Sequence, residues 1–470
     1  MATVVVAVVL VLARLVAGAG LLLVGASGGD ATATGSGAGG SGRSRPGRTV
    51  SSRSEDQLVE DALGEIEAFW ADSFSRVYGG DYVPVEGGFY PYGPRTALPP
   101  CPGIDSYDDI AENAFYCPEG DFIAGDSKNL LRPLRREFGD LTLGMVMAHE
   151  MGHAIQTRAG VHGRAVTLEQ QADCFAGAWV RSVAEGRSAV FAGGADELDL
   201  AVGGLLLLRD TPGVTADDPD AHGTAFDRVA ALGDGFDNGV GQCADYDDDL
   251  VASRLVALPF LDEADAGSGG NLPFEEIESV TMDDLDDYWS AVFAAAKLRW
   301  QPLSDAVAFD PDDEVPACGG LTAEPDEYVA AAFYCEADDF VAWDEVNLTS
   351  VIYEEGGDFA VSTVIGAQYS AAVQARLGLS GDPLALDLQA GCLTGAWAAS
   401  LFREDRSSSQ QLLLSPGDLD EAIMALLAIG DPPSMVGSGD AERGSGFQRI
   451  GAFQDGFVNG MEACAGYLTG

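Results

Sequence analysis

Apolar residues recur at helical spacing through DLTLGMVMAHEMGHAIQTRA, which predicts a helix over 140–159 with Gly160 as its stop. Thr167 and Gln170 have the spacing of a capping box and predict that the next helix, LEQQADCFAGAWVRSVAE, opens there. In AFYCPEGDFIAGD, residues 114–126, two short apolar runs flank turn residues, the pattern of a small hairpin. The chain is thus expected to be mainly α with small β hairpins or sheets, an α+β fold. Residues 1–26 are almost wholly apolar, broken by Arg14. They are long enough to span a bilayer, although a central Arg costs about 2.5–3.5 kcal/mol on insertion. Alternatively Arg14 is the basic flank and Leu15–Ala26 the hydrophobic region of a signal peptide. A signal peptide or an N-terminal membrane anchor would equally carry the remainder out of the cytoplasm, to be secreted or tethered. Residues 27–54, rich in Gly, Ser and Thr, are expected to form a disordered linker.

The chain repeats itself. Cys101, Cys117, Cys174 and Cys243 are followed by Cys318, Cys335, Cys392 and Cys464, and the middle interval is 57 positions in both quartets. AFYCPEGDF returns as AFYCEADDF, QADCFAGAW as QAGCLTGAW, and FDRVAALGDGFDNG as FQRIGAFQDGFVNG. A period near 220 residues is a duplicated domain, not a solenoid. The units are expected at 55–250 and 275–470, joined by a linker over 251–274 around ADAGSGGN. An even cysteine count in an exported chain suggests disulfides, and four cysteines per unit allow three connectivities. Cys101–Cys117, clipping a short loop, and Cys174–Cys243, tying a helix to the end of the unit, are the favoured pairs. No C-x-x-C spacing suggests a cysteine metal site.

Composition narrows the partners. The chain carries 75 Asp and Glu against 25 Lys and Arg, a formal charge of −50, which repels nucleic acid and anionic lipid. At 470 residues it exceeds one ordinary core, in keeping with two domains.

The chemistry sits in the predicted helices of the first unit. His149 and His153 are four apart, so their imidazoles share a helix face and can share a metal. Glu150 follows the first histidine, from where a carboxylate reaches a metal-activated water. A catalytic zinc wants three protein ligands and an open position. Glu169 and Asp173, again four apart, fit as third ligand and as the carboxylate that holds a ligand histidine by its other nitrogen. The chain has only four histidines, which makes chance placement of the pattern harder. His222 is a candidate donor to an oxyanion or else a turn residue, and His162 lies in a polar loop and is read as structural or idle. In register, His149 meets Ala367, Glu150 meets Gln368, His153 meets Ala371, Glu169 meets Asp387 and Asp173 meets Gly391. The second unit therefore reads as a folded pseudo-enzyme, which binds substrate in its old cleft or packs on the first.

HEMGHAIQ followed by EQQADCFAGAW, with AFYCP upstream and HGTAFDR…GFDNGVGQC downstream, resembles the bacterial neutral zinc metallopeptidase family. The resemblance implies a zincin-like fold of the gluzincin type in two tandem copies, the second degenerate. It implies one Zn2+ per chain on His149, His153 and Glu169, with Glu150 as general base and Asp173 in support. The expected activity is zinc-dependent endopeptidase action on a peptide or protein substrate. The alternative is an exported binding or assembly protein with a vestigial or structural zinc site. A cell-wall amidase on the same metal logic is a third reading.

Overall fold

The computed structural model describes residues 53–216, 218, 221–256, 258–403, 412–430, 432–436 and 444–468. The apolar segment 1–26 and all but the end of the 27–54 linker lie outside the described residues. No helix among the described residues is long and apolar enough to cross a membrane.

Helix α1 (Glu55–Val77) opens with a capping box, Ser54 against Gln57, and buries Leu58, Val59, Ala62, Ile66, Trp70 and Phe74 along one face. A three-stranded sheet follows: β1 (Gly88–Tyr92), β2 (Ala114–Cys117) and β3 (Phe122–Asp126), in the order β1-β3-β2. Strands β2 and β3 are the antiparallel hairpin expected from AFYCPEGDFIAGD. Strand β1 was not anticipated; it pairs parallel to β3, and its Pro91 is tolerated because the strand is at the edge. After α2 (Arg132–Phe138) comes α3 (Asp140–Ala159), which ends at Gly160 in the left-handed conformation, as the pattern required.

Helix α4 (Ala165–Ala184) corrects one expectation. It opens at Ala165, before Thr167, which is buried in the first turn and is no cap. A carboxylate from far along the chain has taken over the entry: the Arg164 N–H donates to Asp248 Oδ1 at 2.9 Å. Helices α5 (Ala195–Leu206) and α6 (Ala225–Asn238) complete the unit, α6 capped by the Thr224 hydroxyl. Where α4 and α6 cross, a Cβ on Gly177 would lie 1.9 Å from the Leu232 carbonyl oxygen, so only glycine lets the backbones meet. Disulfides join Cys101 to Cys117 and Cys174 to Cys243.

The stretch 251–274 contains a short helix, α7 (Glu263–Ser268). The plan then repeats: α8 (Phe274–Ala295), a sheet of β4 (Asp305–Phe309), β5 (Ala332–Cys335) and β6 (Phe340–Asp344) in the order β4-β6-β5, then α9 (Asp358–Leu377), α10 (Pro383–Phe402), α11 (Asp418–Ala428) and α12 (Gly446–Asn459). Gly395 repeats the close crossing, 1.9 Å from the Phe453 carbonyl, and Cys318–Cys335 and Cys392–Cys464 repeat the disulfides. The fold is two tandem α+β copies of one plan.

The copies pack on each other through like elements. Phe226 of α6 meets Phe453 and Phe457 of α12, and Phe236 meets Phe447. Polar contacts seal this apolar seam. Gln454 Nε2 donates to the Phe226 carbonyl at 2.9 Å, and Asp199 accepts from the Gly446 and Phe447 N–H groups at the start of α12. Asp420 of α11 accepts from the Phe226 N–H and faces Arg209 at 3.1 Å.

Candidate metal centre

Two helices of the first copy bring the site together. A Cβ on Gly152 would lie 2.9 Å from Ala172 Cα, so the glycine within HEMGH is what lets α3 and α4 approach. The approach aims three side chains at one point. His149 Nε2 lies 3.2 Å from His153 Nε2 and 3.1 Å from Glu169 Oε2, and His153 Nε2 lies 3.3 Å from Glu169 Oε1. Tetrahedral bonds of about 2.0–2.1 Å to zinc hold ligand atoms roughly 3.3 Å apart, so the spacing suits such an ion.

The hydrogen bonds behind these atoms fix their lone pairs. His149 Nδ1 lies 2.7 Å from Asp173 Oδ1; a carboxylate only accepts, so Nδ1 carries the proton and Nε2 presents a lone pair. Gln156 donates its Nε2 to the Leu168 carbonyl at 2.6 Å, which turns its Oε1 to receive the His153 Nδ1 proton at 2.9 Å. Two imidazole lone pairs and a carboxylate thus converge, and the buried Glu169 Oε2 has no hydrogen-bond partner among the described residues. Such a set is satisfied by a metal cation or, without one, by protons on the two Nε2 atoms. His149, His153 and Glu169 are also one of the groups able to hold a metal ion.

Charge is tuned around this point. Burial alone would lower the His149 pKa, but Asp173 and Glu169 outweigh it and push the imidazole up to about 10. Burial would likewise lower His153, and Glu169 reverses the direction. For Glu169 burial acts upward, yet the two imidazoles hold the carboxyl well below its usual range. Glu150 is 7 % exposed, and burial raises its pKa against the pull of His149 and His153.

Sequence reasoning assigned no role to Arg228. This buried side chain, from α6, donates from Nε to Asp173 Oδ2 at 2.8 Å and from Nη2 to Oδ1 at 2.9 Å. Its Nη1 donates to the Leu208 carbonyl at 2.5 Å. Burial raises the Asp173 carboxyl, and Arg228 with His149 more than offsets this, keeping it ionised. The chain Arg228–Asp173–His149 runs from α6 through α4 to α3. Its signal in the sequence was the repeated FDR and FQR, whose arginine is unchanged.

The site opens into a cleft of about 460 Å³ that Glu150 and His222 also line. His222 is half-exposed, with Nδ1 3.4 Å from Asp210 Oδ1, which raises its pKa. His162 is exposed in the loop between α3 and α4.

The second copy keeps a cleft of about 340 Å³ in the corresponding place, lined by Ala367, Gln368, Ala371, Asp387 and Gly391. Among the described residues, none of the groupings of metal-type ligands falls in this cleft.

The family described as "Putative neutral zinc metallopeptidase" matches the chain twice, over residues 1–246 and 262–466. The chain belongs to this family. Membership implies zinc and a peptidase, and the double match agrees with tandem duplication. Among curated proteins, uncharacterized protein YpfJ of Escherichia coli strain K12 is 30% identical over 146 residues, covering 27% of this chain and 50% of YpfJ. YpfJ of strain O6:H1 aligns equally. The chain thus spans about half the length of the curated relatives it matches. No solved structure matches the chain.

Proposed function

We propose that the first copy, residues 55–250, is a zinc-dependent endopeptidase, with one zinc per chain held by His149, His153 and Glu169. The observation that carries this reading is the convergence of three acceptor atoms 3.1–3.3 Å apart, with ring tautomers set by Asp173 and Gln156. When bound there, zinc supplies the Lewis acidity that makes water a nucleophile near neutral pH. Glu150 is the general base. Its carboxylate takes the proton of the attacking water and returns it to the leaving amine. The raised pKa that burial gives Glu150 suits both halves of that transfer. Asp173 holds the His149 ring, and Arg228 holds Asp173 (positioning roles). His222, with Nδ1 beside Asp210, offers Nε2 as a donor to the oxyanion that develops on the substrate carbonyl.

The second copy, residues 275–470 beyond the 251–274 linker, is catalytically inactive, since Ala367 and Ala371 offer no ligand and Asp387 alone cannot hold a catalytic zinc. Four disulfides and the apolar first 26 residues support secretion or tethering outside the cytoplasm. The test is cleavage of casein or a peptide library with and without chelator, in wild type and Glu150→Gln. Chelator-sensitive cleavage lost in the variant with zinc retained is expected. Cleavage indifferent to both would sink the reading, and no cleavage by zinc-loaded wild type would sink it in favour of a binding protein with a structural zinc.

A further inference from the structure

We propose that the second copy holds an oxygen-ligated divalent cation of the calcium class between Asp358, Asp418 and Glu421. Asp358 opens α9, and Asp418 and Glu421 stand in the first turn of α11. Their relative exposures are 3 %, 2 % and 6 %, and one carboxylate oxygen from each lies within 4.8 Å of the others.

The outward-facing oxygens are accounted for by the backbone. Asp358 Oδ2 accepts from the Leu272 N–H at 3.0 Å, Asp418 Oδ2 from Ser415 at 2.8 Å, and Glu421 Oε2 from Phe359 at 2.9 Å. Asp358 Oδ1 and Asp418 Oδ1 remain, both buried and both without a hydrogen-bond partner among the described residues. A buried acceptor left unmade is costly, two are left here, and three carboxylates in one place repel one another as well. A fourth acid adds to the field: Asp265 of α7, whose Oδ1 takes the Ser415 hydroxyl at 3.2 Å. Among the described residues no Lys or Arg forms an ion pair with any of the three acids.

The first copy solves the same position differently. The offset of 218 that aligns Cys117 with Cys335 also aligns Asp140 with Asp358 and Arg135 with Tyr353. Arg135 Nε sits 2.7 Å from Asp140 Oδ1, so a guanidinium neutralises the acid that opens α3. In the second copy the guanidinium has gone, the tyrosine donates instead to the Leu272 carbonyl, and two further acids have gathered. Gly357 makes room for them: a Cβ there would lie 2.1 Å from Asn271 Oδ1 and 2.2 Å from Glu421 Oε1. The donors are all oxygen and carry three formal charges, a set that suits calcium and not zinc.

The test titrates CaCl2 and MgCl2 into the zinc-loaded full chain, reading heat and melting temperature. We expect one calcium per chain, a rise of about 5–10 °C at a calcium concentration 100 times Kd, and unchanged zinc content. The double variant Asp418→Asn/Glu421→Gln is expected to lose the calcium response. Because it relieves repulsion, it should melt no lower than calcium-free wild type, which guards against reading misfolding as lost binding. Terbium luminescence displaced by calcium in wild type, and absent in Asp358→Asn, is the second readout. Wild type that takes up no calcium at millimolar concentration overturns the proposal. So does a response that survives the double variant, an equal response to magnesium, or stabilisation by acid alone with none by calcium.

Discussion

Helices α3 and α4 of the first copy and α9 and α10 of the second are the same pair built twice, and the contrast separates scaffold from chemistry. The glycine at the α4–α6 crossing, the disulfide beside it and the buried tryptophan after it recur as Gly395, Cys392 and Trp397. So does the helix-to-helix tie: Gln156 donates to the Leu168 carbonyl at 2.6 Å, and Gln374 to Leu386 at 2.7 Å. The two histidines, Glu150 and Asp173 do not recur. Gly391 stands where Asp173 would, and Arg449 donates to the Leu426 and Gly444 carbonyls. Gly152, which brings α3 against α4, is replaced by Ser370, whose hydroxyl lies 3.0 Å from that of Thr394. Backbone crossings and disulfides hold this fold. The imidazoles of the candidate metal centre are missing from the second copy, which keeps the same shape without them.

Glu150→Gln is expected to lower kcat/KM about 10²–10⁴-fold with zinc content unchanged, measured by peptide cleavage and metal analysis. Writing Ala367→His, Gln368→Glu and Ala371→His together into the second copy should create a second zinc site beside Asp387. It should bind about 10–100-fold more weakly than the first, because no carboxylate stands behind the first histidine; adding Gly391→Asp should recover part of the gap. Competitive zinc titration reads both, and a stoichiometry that stays at one would show that the scaffold has drifted too far. Asp173→Gly, the reverse copy, should weaken zinc in the first unit by about 10–100-fold. Gly177→Ala and Gly395→Ala should each cost about 1–3 kcal/mol by pushing a carbonyl aside, read by chemical denaturation, and should cost nearly the same.

The smallest effect concerns Asp227, which the second copy replaces with the neutral Gln448. Burial first, and Asp420 beside it, push its pKa from 3.8 up to about 7. A carboxyl raised by folding stabilises fully below about pH 4, and that contribution is lost as pH rises towards 7. Asp227→Asn should therefore be more stable than wild type at pH 8, by less than the roughly 4 kcal/mol the whole shift represents, and should flatten the dependence between pH 4 and 7. Denaturation midpoints across that range check it.

What the sequence made legible is what helical periodicity governs. His149 and His153 share a face because they are four apart, and Glu169 and Asp173 repeat that spacing one helix later. The β2–β3 hairpin was legible from its turn residues. Three features were hidden because distant residues decide them. Arg228 reads as one more cation until α6 folds back on Asp173, 55 positions away. Strand β1 carries Pro91, which argues against a strand unless its edge position is known. Thr167 and Gln170 have the right spacing for a cap, yet Asp248 from beyond α6 governs how the chain enters α4.

The seam between the copies reaches further than packing. Arg209 lines the cleft of the first copy, and the acid it faces, Asp420, belongs to the second. A chain cut back to its first copy would bare Phe226 to water and strip that arginine of its counter-charge beside the cleft. Having once doubled, this protein has made one copy the keeper of a counter-charge for the other.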